Sequence, residues 1–132
     1  MKYDDWEARL HDYLQSVQRR GFDPATHHCG IFAADAVLAM TGTDHAAKWR
    51  GKSMKAGMTA IRKAGFADHV ALLASVLEEV PVAFGHIGDV AVIETPEGDA
   101  LGIVQGAQIT VLRPEGLGLV GLLAAKRMFR VE

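Results

Sequence analysis

The sequence predicts an α+β fold, with helices ahead of Pro81 and a small antiparallel sheet after Gly88. Two observations carry this. Apolar residues recur at three- and four-residue spacing in the first part, and gather into short runs split by turn residues in the second. Helices first and strands second is α+β order, unlike the alternation that builds a parallel sheet. The 132 residues, 49% hydrophobic and 23% charged, suffice for one packed core and not for two. Residues 1–132 therefore read as one domain, with no repeat, low-complexity segment or linker dividing them.

Trp6, Leu10, Leu14 and Val17 fall on one helical stripe, with Asp4 and Asp5 favouring its start and Gly21 its stop. Residues 21–28 mix Gly, Pro and polar side chains, so a loop is expected to deliver Cys29. From Cys29 to Met40 the residues Cys29, Phe32, Ala33, Ala36, Val37 and Met40 share a helical face, and Thr41-Gly42 ends it. Ser53 as cap, Met54, Met58 and Ile61 as an apolar stripe, and Gly65 as terminator predict a helix over about Lys55–Ala64. Another is expected after Asp68, through Leu72, Leu73, Val76 and Leu77, until Pro81. Strands are expected at Val90–Ile93, Leu101–Val104, Ile109–Leu112, Leu117–Leu122 and Met128–Val131, joined by turns at 95–99, 106–108 and 114–116.

The charge balance, 14 Lys+Arg against 16 Asp+Glu, leaves no cationic excess for a phosphate backbone, so nucleic acid is not an expected partner. No apolar run has the length of a membrane span. Met1 to Trp6 carries acids where a secretion signal needs apolar residues, so the expectation is a protein made in a cytosol and leaving it only in a larger particle. One cysteine forbids an internal disulfide, and without Cys-x-x-Cys or His-x-x-x-His no metal or cofactor is expected.

A thiol at a helix N-terminus meets unpaired N–H groups and the positive end of the dipole, which favour thiolate and suit a nucleophile. Cys29 also reads as a small core hydrophobe, the commonest state of a free cysteine. His28 is a candidate base for Cys29 by adjacency, against a plain loop histidine; His27 shares that ambiguity. His86 precedes its strand and reads as a loop or interface residue, while His11, His45 and His69 read as surface histidines. Asp89 orients a base or, in the favoured reading, serves turn chemistry with Gly88. The segment Lys48-Trp49-Arg50-Gly51-Lys52 reads equally as an interaction surface or a solvated loop whose Trp49 tucks onto the domain.

The strings His28-Cys29-Gly30-Ile31-Phe32-Ala33-Ala34-Asp35-Ala36-Val37, Thr41-Gly42-Thr43-Asp44, Trp49-Arg50-Gly51, Gly88-Asp89-Val90-Ala91-Val92 and Leu101-Gly102-Ile103-Val104-Gln105-Gly106 resemble a phage and prophage tail-associated domain family of unknown function. Gly116-Leu117 and the closing Arg127-Met128-Phe129-Arg130-Val131 extend the resemblance over nearly the whole chain. That family in turn resembles the NlpC-type cysteine hydrolases of the papain superfamily. The resemblance implies a papain-like scaffold with Cys29 in the nucleophile position, a host-cytoplasm origin and a place in the virion tail. It also implies other tail-tip or hub proteins as partners and a cell-wall peptide as a possible ligand. The hydrolase pattern laid on Ala100-Leu101-Gly102-Ile103 puts Ala100 where a general base belongs, and a methyl group accepts no proton. The expectation is thus a tail component on a cysteine-hydrolase scaffold with lost or impaired catalysis. Its alternative is an active cell-wall amidase or peptidase using Cys29.

Overall fold

The computed structural model describes all of residues 1–132. Four helices, α1 (Trp6–Val17), α2 (Cys29–Thr41), α3 (Met54–Lys63) and α4 (His69–Val76), precede the whole of the sheet. The strands are β1 (Glu78–Val80), β2 (Val90–Thr95), β3 (Gly98–Val104), β4 (Gln108–Arg113), β5 (Gly116–Gly121) and β6 (Ala125–Arg130). They form one antiparallel sheet in the order β1-β6-β2-β3-β4-β5. The α+β class follows directly. No helix is long and apolar enough to cross a membrane.

The last helix is shorter than its sequence suggests. Apolar residues continue past Val76, but Leu77 adopts extended backbone and residues 78–80 become an edge strand paired with β6. The Glu78-Glu79-Val80 run carries its acids outward there, and Glu79 binds Arg127 across the pair at 2.9 Å. The final strand starts earlier than expected, at Ala125, because a bulge between Val92 and Ile93 lets β6 stay paired with β2 beyond the apolar stretch.

Period-2 alternation sorts the strands between two cores. Val90, Val92, Leu101 and Ile103 face α1 and α2, joining Leu10, Phe32 and Met40 in the larger core. Ala91, Val104, Ile109 and Met128 face the other way into a smaller cluster. Helix α2 lies across β3 because its stripe Phe32, Ala33, Ala36, Val37 and Met40 is buried throughout, and Gly42 closes it at φ 78°, a left-handed conformation costly for any side chain.

The turn entering β2 is anchored from within. Asp89 is fully buried and accepts hydrogen bonds from the backbone N–H of His86 at 2.8 Å and of Val131 at 3.1 Å, and from Arg130 Nε at 3.0 Å. The Gly88-Asp89 string and the closing Arg-Met-Phe-Arg-Val string are thus two halves of one ion-paired lock. Asp89 does make its turn, but its larger role is to hold the C-terminal strand against β2; it orients no histidine ring.

Candidate functional site

Cys29 opens α2, with His28 as the extended residue ahead of it. The loop before it is held by paired hydrogen bonds between the Asp23 and His27 backbones, at 2.8 and 2.9 Å, so the cysteine arrives from a closed turn. His27 is completely buried, edge-on to Phe32 at 6.3 Å between ring centroids, and neither ring nitrogen has a partner. Burial holds its pKa below the usual histidine value, with Arg20 adding to the effect. It is a packing residue.

Burial pushes the Cys29 thiol up, and the N–H groups of Leu101, Gly30 and Cys29 itself pull it back by less. The helix terminus therefore does supply the expected donors, yet the surroundings are apolar enough to keep the sulfur protonated at neutral pH. No ring nitrogen is hydrogen-bonded to it. His28, the adjacent candidate, turns over Gly30, where an added Cβ would lie 3.6 Å from its Nδ1, and reaches the Lys52 backbone carbonyl. Burial lowers its pKa; the carbonyl raises it by less, and the nearby His69 ring lowers it further. His28 ties the 44–52 segment to the start of α2 and makes no bond to the thiol.

Cys29 borders a cavity of about 410 Å³, within the range of small-molecule sites. Its wall is mostly apolar, from Met58 and Ile61 on α3 to Leu72 and Leu73 on α4, with Trp49 on one side. Trp49 is half-buried there, so the tucked reading of the 48–52 segment holds for the aromatic. The segment is fixed by Arg50, whose guanidinium bonds Asp35 of α2 at 2.6 Å and Asp44 at 2.8 Å.

Three histidines line the cavity: His28, His45 and His69. The structure moves His45 and His69 off the surface list, while His11 and His86 are exposed as expected. His69 begins α4, behind the Asp68 cap that accepts from the Ala71 N–H at 2.8 Å, and its Nε2 lies 2.7 Å from the Asp99 carbonyl. Its Nδ1 is buried without a partner. Sequence spacing could not bring out His69, because its hydrogen-bond partner Asp99 and its fellow lining residue Cys29 are 30 and 40 positions away (99 − 69 and 69 − 29).

Ala100 is absent from the cavity wall, whereas Asp99 and Leu101 on either side of it contribute. Its partner across the hairpin is Ile93, which packs on the smaller cluster. Strand alternation thus sends the Ala100 methyl to the sheet face opposite α2. No group of three or more His, Cys, Asp or Glu side chains is arranged to hold a metal ion.

The fold and site together define an α+β domain in which a cysteine at a helix start and three histidines border one apolar cavity. The chain belongs to the family described as Domain of unknown function (DUF6950), which matches residues 1–131. No curated protein matches the chain.

Proposed function

We propose that this chain is a phage or prophage tail component, of the tail tip or hub, built on an NlpC-like papain-type scaffold whose hydrolytic turnover is impaired. The observation that carries the reading is the state of Cys29: a nucleophile-position thiol at a helix N-terminus, bordering a ligand-sized cavity, yet kept protonated by burial and out of contact with any base. A cavity retained beside a quiescent thiol supports binding of a peptide, from a tail partner or the cell wall, in preference to cleavage. The second reading, an active cell-wall amidase or peptidase, is favoured by one observation, the unpartnered His69 Nδ1 in the same cavity wall.

Two measurements test the proposal. Mass spectrometry of purified particles from an induced lysogen should find the chain at fixed stoichiometry with the tail proteins; its absence refutes the tail assignment. Purified protein incubated with peptidoglycan fragments should leave them uncleaved, and release of products by the wild type but not by Cys29→Ala replaces the proposal with the hydrolase.

A further inference from the structure

We infer that His69 is the proton acceptor for Cys29, supplied by α4 in place of a strand histidine; the inference rests on the reading of Cys29 as a nucleophile position. The geometry comes from one strand edge. β3 pairs with β4 only at Ile103 and Val104, so the earlier backbone groups on that edge are free to meet side chains. Two of them do. The Leu101 N–H faces the Cys29 sulfur, and the Asp99 carbonyl meets His69 Nε2 at 2.7 Å. The two anchor points are two residues apart on one strand, about 6.6 Å at ~3.3 Å per residue. Thiol and imidazole thereby border the same cavity from one strand edge.

The anchoring also fixes the tautomer. A carbonyl only accepts, so Nε2 carries the hydrogen and Nδ1 of the neutral ring is left with a bare lone pair. That lone pair is buried and satisfied by nothing. A base oriented through its other nitrogen is the arrangement that activates a cysteine or serine nucleophile. As sulfur attacks, the S–H bond breaks, its proton passes to Nδ1, and the sulfur electron pair forms the bond to the electrophilic carbon. With iodoacetamide as the electrophile, iodide leaves. No hydrogen bond joins the two at rest, so the pair engages during attack, as apo catalytic contacts often do. The charged and titratable groups that line the cavity with His69 are Asp68 capping its own helix, Glu97 of the β2–β3 turn, Asp99 of β3, His28 ahead of α2, and His45 of the 44–52 segment. Lys126 holds Asp99 at 2.7 Å, and Arg127 acts on both Asp68 and Asp99.

The test is the rate of Cys29 alkylation by iodoacetamide as a function of pH, with Cys29→Ala as blank. The wild type should show a separate acid-side limb in its pH profile, ahead of the rise due to the thiol itself. His69→Gln, whose amide N–H can still reach the Asp99 carbonyl, should lose that limb and react about tenfold more slowly at pH 7, below the ~10²- to 10⁴-fold usual for general bases because the thiol is intrinsically reactive. Imidazole in the buffer should restore the rate in His69→Ala, which a merely structural role does not predict. Identical profiles for the wild type and His69→Gln overturn the inference while leaving the nucleophile reading intact; a wild-type thiol that is inert at every pH overturns both. Should the variants fail to fold, the native protein decides: alkylation of Cys29 should shift the Nδ1 resonance of His69, and an unmoved resonance refutes the pairing.

Discussion

Replacing Asp89 with alanine should be the most destabilising single polar change in the chain. The carboxylate is fully buried and accepts three hydrogen bonds, from His86 N, Val131 N and Arg130 Nε. The Val131 donor is buried and has no other acceptor, so orphaning it costs about 1 to 3 kcal/mol. His86 is exposed, and water can replace its bond at small cost. Arg130 keeps 20% side-chain exposure and a second bond to the Phe84 carbonyl at 2.7 Å, which places its loss at the low end of the ~3 to 5 kcal/mol seen when a buried pair is broken. The expected total is about 4 to 6 kcal/mol, a large share of the ~5 to 15 kcal/mol available to a domain. Urea unfolding followed by far-UV circular dichroism should show the midpoint falling by about 2 to 3 M, for an m-value of ~2 kcal/mol/M. Asp89→Asn keeps one acceptor oxygen and should lose roughly half as much. A loss below about 1 kcal/mol in Asp89→Ala would mean that the N–H groups find water and that the lock contributes nothing to the fold.

His27→Phe should stabilise the protein by about 1 kcal/mol at pH 7, because it removes a buried donor and acceptor without partners. The folded state depresses the His27 pKa, so the unfolded chain binds the proton first and stability falls as pH drops below about 6.5; thermal melts should show that slope flattened in His27→Phe, with the part due to His28 remaining, and an unchanged slope refutes the assignment. Ala100→His should leave the Cys29 alkylation rate within about twofold, since strand alternation aims position 100 at the far sheet face; a rise of tenfold or more would restore the hydrolase register. Ser53→Ala should cost about 1 kcal/mol in chemical denaturation through loss of the bond from the Ala56 N–H at 3.1 Å, and no change would show that the first turn of α3 is frayed.

Elements with a repeated local signal were legible from the chain. Ser53 and Asp68 both cap their helices, Cys29 does open α2, and β4 and β5 fall within a residue of the runs that announced them, while β2, β3 and β6 overlap theirs. What escaped was set by distant partners. Glu78-Glu79-Val80 continues an apolar helical stripe in sequence, and only the open edge of β6 makes it a strand. The site shows the same division. Cys29 was visible as a position, but its protonation depends on burial contributed by α3, α4 and β3. His69 carries no local mark at all, since its significance comes from the Asp99 carbonyl on a strand edge.

The sequence strings that looked like separate signatures resolve into two mechanical units, and this bears on what they are for. Asp35, Asp44 and Arg50 clamp the 44–52 segment onto α2, with exposed pairs individually worth only about 0 to 1 kcal/mol. Such weak bonds do little for global stability. They do fix where Trp49 stands, and Trp49 forms part of the wall of the cavity that Cys29 borders. The Asp89 lock sits at the far end of β2 from the hairpin and holds β6 in register, so that β2 and β3 present Val90, Leu101 and Asp99 to the cavity. Both units converge on one apolar pocket that Cys29 borders. A chain that kept only a scaffold for assembly has no physical need to hold that wall in place, so the arrangement argues for a ligand.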